Sequence, residues 1–307
     1  MSKQASRTAP PSLPLKPSTW PFWILAGLAW AAAQLPFSTQ QRVGRMIGRI
    51  FRWLSRDRRH VTRVNLRLCF PEKTDQERES LLRAHFQASG IGILETASGW
   101  WTPAPRFEGT YTLEGLEHLD HALQEGRGAL LLSAHFTTLE FCARILTNHR
   151  PMAAMYRPNE NPVVDHLFRR NRALHSAAAI DRNDIKGLLR TLKRNLPVWY
   201  APDQAPRGRR GELVPFFGVP ASTQTATHRI AKVSRAPVLP FFGFRLANGH
   251  YRLVLQPPLE DFPSDDPIAD TARINRIIEE AVREAPEQYF WSHRRFKKRK
   301  DLPDPYE

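Results

Sequence analysis

Cysteine is nearly absent: Cys69 and Cys142 are the only two in 307 residues. Two thiols make neither a disulfide framework nor a metal spacing, and both sit among apolar neighbours as buried thiols do. That usage fits a reducing compartment. There is no G-x-S-x-G elbow to present a serine nucleophile. No internal repeat and no soft linker interrupt residues 60–300. Acidic residues are also in short supply, 30 Asp and Glu against 45 Lys and Arg, for a net charge of +15. Such an excess points to an anionic partner: nucleic acid, acidic lipid or an acidic protein. A nucleic-acid reader would also want basic residues interleaved with exposed aromatics, or a known reading module, and neither is found. What is present is ample chain for a core in one large domain or two small ones. The 26 prolines imply many short loops, with Pro10, Pro11, Pro14 and Pro17 marking a flexible start.

The chain is organised around residues 126–144, GRGALLLSAHFTTLEFCAR. A glycine turn leads into the apolar run Ala129–Leu132, which reads as a buried strand of a parallel sheet. Thr137-x-x-Glu140 then opens a helix, so His135 stands where a strand stops and a helix begins. In open α/β sheets that rim is where ligands bind. An imidazole titrates near neutrality and can take a proton from a hydroxyl attacking an activated carbonyl. Glu140 on its other nitrogen would fix the tautomer. Five helical steps would carry Glu140 well round the cylinder, so the two face each other only if the chain turns between them. The alternative is structural: Glu140 caps the helix with Thr137, and His135 is a hydrogen-bonded rim histidine.

Residues 135–140, HFTTLE, form an H-x4-E element, the mark of glycerolipid-type acyltransferases. The longer wording resembles one branch, the lipid A biosynthesis (lauroyl/myristoyl) acyltransferases. The matching pieces are NLRLCFPE (65–72), residues 128–140, YRPNENP (156–162), WYAPDQ (199–204), VPFFGVPAST (214–223) and PEQYFWSHRRFK (286–297). The resemblance implies transfer of an acyl chain from the thioester of acyl carrier protein to a hydroxyl of a phosphorylated lipid A precursor, with no cofactor. A thioester is already activated, so one base, His135 with Glu140, suffices and no enzyme nucleophile is needed. It further implies phosphate binding by Arg157, which follows a short strand. Asp203, in APDQ, stands where glycerophosphate acyltransferases carry Glu-Gly-Thr-Arg; its tasks left open are orienting Arg157 or a substrate hydroxyl. Arg207, Arg209 and Arg210 lie nearby, and Arg207 joins the expected substrate-binding set. The departure from Glu-Gly-Thr-Arg argues against a small glycerol-phosphate acceptor. Residues 214–222 read either as wall for an acyl chain or as core.

The expected organisation is a disordered basic tail (1–18), a membrane-anchor helix (19–38), an amphipathic interfacial helix (39–60), a catalytic domain (61–300) and a short tail (301–307). The window 17–41 carries no charge, and an 18-residue helix would span ~27 Å, close to the ~30 Å hydrocarbon core. A cleaved signal peptide, a soluble core helix and a monotopic helix compete with a spanning anchor. Seven arginines within 42–59 would resist export and hold that side in the cytoplasm, and the resemblance implies that the membrane is the inner membrane of a bacterium. Val43, Met46, Ile47, Ile50, Phe51 and Leu54 make an apolar stripe beside an arginine stripe, suited to an anionic membrane surface or to packing on the domain.

Thr74-x-x-Glu77 opens a long helix with a capping box. Further on, strand and helix signals alternate: a helix at 116–124, strands at 152–156, 177–180 and 197–201, helices at 163–173 and 184–194. The alternation argues an α/β fold, a mostly parallel sheet flanked by helices. Asn248-Gly249 marks a hairpin between 238–245 and 250–256. Two rival functions stand against acyl transfer. A nucleic-acid-binding protein would explain the charge alone. A metal hydrolase lacks its ligands, since no H-x-x-x-H or Cys/His cluster lies near His135. A third possibility keeps the chemistry and changes the acceptor to a lysophospholipid or an aminolipid.

Overall fold

The computed structural model describes residues 14–156, 158–206, 211–297 and 302–307. Four helices come first: α1 (Trp20–Ala33), α2 (Phe37–Leu54), α3 (Arg56–Cys69) and α4 (Asp75–Trp101). Strand and helix then alternate through β1 (Tyr111–Glu114), α5 (Leu116–Gln124), β2 (Ala129–Leu132), α6 (Leu139–His149) and β3 (Ala153–Tyr156). They continue as α7 (Pro162–His175), β4 (Ala178–Asp181), α8 (Ile185–Lys193) and β5 (Pro197–Tyr200). A hairpin of β6 (Glu212–Phe216) and β7 (Val219–Thr223) precedes α9 (Ala226–Ser234), β8 (Val238–Arg245), β9 (Tyr251–Leu255) and α10 (Pro267–Glu284).

The main sheet has seven strands in the order β1-β9-β8-β2-β5-β3-β4, with β2 in the middle. β8, β2, β5, β3 and β4 pair in parallel, β9 runs antiparallel to β8, and β1 is parallel to β9. The expected mostly parallel α/β sheet is therefore what forms. Ala129–Leu132 lacks polar alternation because both of its faces are covered. Leu130 and Leu132 enter one core cluster, Ala129 and Leu131 the other. The Asn248-Gly249 turn closes the antiparallel β8–β9 pair, with Gly249 at a φ of 86°. Residues 214–222 are divided: Val214, Phe216 and Ala221 are fully buried in the β6–β7 hairpin, while Pro215, Gly218 and Pro220 are exposed. Its turn, Phe217-Gly218, holds both φ angles positive, the twist that a two-residue hairpin loop needs.

The N-terminal helices correct one expectation. α1 ends at Ala33, before Leu35-Pro36, and its 14 residues reach only ~21 Å. Among the described residues no helix is long and apolar enough to cross a membrane. The expected spanning anchor is therefore not formed. The α1–α2 joint is tied down instead: Arg106 donates to the Leu35 carbonyl (2.9 Å) and Gln40 to the same oxygen (2.9 Å). α2 packs along α4 through a face of Gln40, Gln41, Gly44 and Gly48, joined by one edge of its apolar stripe where Phe51 meets Phe86. Met46, Ile50, Trp53 and Leu54 stay exposed, as do Trp20, Ile24, Leu25, Leu28 and Trp30 of α1. The Thr74–Glu77 capping box opens α4 as expected.

Candidate active site

β2 and β5 lie side by side with Leu132 opposite Tyr200. Ser133 extends the ladder by donating to the Tyr200 carbonyl (2.9 Å). His135 and Asp203 each lie the same short step beyond those paired ends, so parallel register brings them together. The His135 backbone N–H donates to one Asp203 oxygen (3.1 Å), and ring Nδ1 meets the other at 2.6 Å. A carboxylate only accepts, so Nδ1 carries the proton and Nε2 of the neutral ring holds a lone pair. Nε2 has no hydrogen-bond partner among the described residues, and the side chain is 35% exposed while Asp203 is 1% exposed. The ring meets Trp199 edge-on, with centroids 6.1 Å apart.

Burial alone would push the His135 pKa down. The charge and hydrogen bond of Asp203 outweigh it and the net shift is upward, with the Arg172 charge pulling the other way. Burial would likewise raise Asp203, but His135 holds it below the usual carboxylate range. The pair thus favours a charged imidazolium once a proton arrives, as a general base should.

Asp203, not Glu140, holds the ring, and the expected orienting role of Glu140 is corrected accordingly. The β2–α6 junction does turn, but it carries Glu140 to α7, where its carboxylate forms an ion pair with Arg172. The Trp100 indole reaches the second Glu140 oxygen at 3.5 Å. The capping alternative fails as well. α6 is preceded by Thr138 with no side-chain cap, and the Thr137 hydroxyl is buried without a partner. Beside Glu140 lies a cavity of about 30 Å³ lined by Trp100, Leu139, Asn171 and Trp199, room for a water or two and not for an acyl chain. Asp203 is hydrogen-bonded to His135, a partner the sequence reading did not name for it. Arg157 and Arg207 lie outside the described residues.

Sequence reasoning did not single out two neighbours of the site, Arg172 and Tyr289. Arg172 sits in an arginine-rich turn of α7 that reads as ordinary surface, and nothing local marks it. Tyr289 lies in the block at 286–297, whose resemblance was visible but whose place was not. The Phe290 N–H donates to the His135 carbonyl (3.0 Å), and Thr137 N–H to the Gln288 carbonyl (2.8 Å). Both cysteines are buried and free, and burial raises both thiols far above neutrality, so neither is a nucleophile. Among the described residues no group of three or more His, Cys, Asp or Glu side chains is placed to hold a metal ion.

The family model for bacterial lipid A biosynthesis acyltransferases matches residues 12–298. The lipid A biosynthesis lauroyltransferase of Escherichia coli (strain K12) is 37% identical over 295 residues, covering 95% of this chain and 96% of its own. The palmitoleoyltransferase of the same strain is 36% identical over 288 residues, covering 93% and 94%. Its myristoyltransferase is 28% identical over 292 residues, covering 92% and 89%. Among solved structures, the 1-acyl-sn-glycerophosphate acyltransferase of Thermotoga maritima aligns over 82% of this chain and 98% of its own at 12% identity, with a TM-score of 0.38, too distant to bear on the site. With a family match running almost the whole length of the chain, and relatives above one-third identity, this protein belongs to the bacterial lipid A biosynthesis acyltransferases.

Proposed function

We propose that the chain moves a fatty acyl group from the thioester of acyl carrier protein to a hydroxyl of a phosphorylated lipid A precursor, with His135 as the general base. The observation that carries this reading is the Nδ1–Asp203 contact of 2.6 Å, on a ring whose other nitrogen is unengaged at the end of the central strand. The acceptor O–H gives its proton to Nε2 as its oxygen bonds to the thioester carbonyl carbon. The C–S bond then breaks and the departing thiolate takes that proton back from Nε2. No bond to the enzyme forms. Glu140 acts through Arg172, fixing a guanidinium whose charge already reaches the His135 ring. That charge suits the oxyanion developing on the carbonyl oxygen. Arg157 is assigned to the acceptor phosphates on the resemblance, and Arg207, on its charge, to those phosphates or to the acidic acyl carrier protein.

In this reading the exposed apolar faces of α1 and α2 rest on the cytoplasmic surface of the bacterial inner membrane, where the lipid acceptor resides. Arg42, Arg45, Arg49 and Arg52 beside them suit anionic headgroups. The test combines full-length protein, acyl-carrier-protein thioester and the precursor, with mass spectrometry of the lipid. One acyl increment is expected, and His135→Ala reduces its rate roughly 100- to 10,000-fold. Retained turnover in His135→Ala removes the base assignment. Acylation of a lysophospholipid or aminolipid in place of the precursor keeps the base and replaces the acceptor. Arg157→Ala raises the acceptor KM; an unchanged KM removes the phosphate role.

A further inference from the structure

The positive charge of this chain is unevenly spread, and α3 carries a dense share of it. Its 14 residues include Arg56, Arg58, Arg59, Arg63 and Arg67 against one acid, Asp57. Arg56, Arg59, Arg63 and Arg67 follow one another at helical spacing and form a stripe along one side. Arg56, Arg63 and Arg67 are exposed. The stripe borders a groove of about 350 Å³ between α3 and the first turns of α4, lined by Arg63, Arg67, Arg78, Asp75 and Glu79. Two of these arginines are fixed. Arg63 pairs with Glu79 (3.0 Å); Arg78 pairs with Asp75 (2.9 Å) and donates to the Phe70 carbonyl (2.9 Å). Arg56 and Arg67 form no ion pair among the described residues.

The basic faces of α2 and α3 differ in kind. On α2 the arginines share the helix with exposed Met46, Ile50, Trp53 and Leu54, the mixture that lies on a lipid surface. Around α3 the apolar part is missing: among the described residues from 55 to 92 no large hydrophobic side chain is exposed. Arginines without an apolar anchor suit a soluble acidic protein, drawn in by charge. The opposite side of α3 faces the catalytic machinery. Asn65 donates there to the Trp291 and His293 carbonyls (2.6 and 2.8 Å), and Arg58 to the Ser292 carbonyl (2.9 Å). The neighbouring Phe290 N–H donates to the His135 carbonyl (3.0 Å). A helix with its side chains is ~10–12 Å across. A protein seated on the stripe therefore stands about one helix width from the segment that touches the catalytic histidine.

We propose that the arginine stripe of α3, with Arg78 of α4, is the docking surface for the acyl carrier protein, whose acidic face meets the arginines. This rests on the donor assigned under the proposed function and gives it a place on the molecule. Arg63 and Arg78, already held by carboxylates, keep the groove in shape, and Arg56 and Arg67 supply the charge that meets the partner. The two substrates then arrive by separate faces, the lipid along α1 and α2 and the protein-borne thioester along α3.

The test measures KM and kcat for acyl-carrier-protein thioester in the full-length protein carrying Arg56→Glu with Arg67→Glu, beside the same acyl group on pantetheine alone. The carrier KM should rise roughly tenfold or more, with kcat at saturation near wild type. Arg56→Gln with Arg67→Gln should raise it less, and the wild-type KM should climb with added salt. Only the protein-borne donor should feel the change. An unmoved carrier KM overturns the proposal. An equal loss with both donors, in the Glu and the Gln pair alike, also overturns it. Lost sedimentation with phosphatidylglycerol vesicles at an unmoved carrier KM gives the stripe to the membrane instead. Wild type that takes no acyl group from the carrier defeats the donor reading and this inference together. Normal use of the carrier by wild type, with an unmoved KM in the variants, defeats this inference alone.

Discussion

Two histidine–aspartate pairs among the described residues share a short contact and differ in surroundings. His228 and Asp270 meet at 2.7 Å with side chains 6% and 5% exposed, between α9 and α10. His135 and Asp203 meet at 2.6 Å, with the histidine 35% exposed. Asp270 also accepts the Ser264 N–H, so the first pair ties a loop to two helices. Only the second presents a free nitrogen where substrate can arrive. Glu140 contributes at the same scale by neutralising Arg172. In Glu140→Gln the guanidinium loses that offset and bears more strongly on the His135 imidazolium. The variant should lose kcat and show an acid limb at lower pH than wild type. A wild-type rate with an unmoved limb would remove Glu140 from the machinery.

At the scale of elements, the contact of α2 with α4 is set by what is missing from it. A Cβ on Gly48 would stand 2.1 Å from the Phe86 carbonyl oxygen, and one on Gly90 2.2 Å from that of Gly44. Alanine normally gains ~1 kcal/mol over glycine in a helix, but here the clash is with backbone and the helices must part. Gly48→Ala should destabilise by about 1–3 kcal/mol and lower Tm by roughly 2–10 °C in a thermal melt. A raised Tm would mean the helices can separate freely.

That interface was not legible in the sequence, because periodicity searches follow apolar residues and α2 buries glycine and glutamine. The β6–β7 hairpin was hidden for a related reason: Phe217-Gly218 is not the Asn-Gly or Asp-Gly pair that announces a tight turn. α5, the capping box of α4 and the His135 junction were legible from local rules alone. Asp203 was visible as a residue just past a strand, but its partner depended on β5 lying in register beside β2. Strand neighbours are set by long-range packing, which no local pattern reports. The same limit hid the return of Tyr289 to the catalytic loop.

For the whole molecule, net charge and exposed apolar surface point in one direction. Leu28 of α1 and Ile50 of α2 are 63% and 52% exposed, and α2 also carries Arg42, Arg45, Arg49 and Arg52. The full chain should therefore sediment with vesicles of phosphatidylglycerol in phosphatidylcholine, and less so in high salt. Leu28→Asp with Ile50→Asp should weaken that binding; unchanged sedimentation would place the membrane contact elsewhere. The central claim is that a lipid hydroxyl gives its proton to an imidazole primed by Asp203, and it is tested most directly by the pH dependence of kcat/KM in wild type and Asp203→Asn. Because His135 must be neutral to act and Asp203 raises its pKa above that of an ordinary imidazole, wild-type activity should rise through an inflection shifted upward from the ordinary imidazole range. Asp203→Asn should move that inflection below the wild-type value and cut the plateau roughly 100- to 10,000-fold. An Asp203→Asn profile that superimposes on wild type would contradict the account.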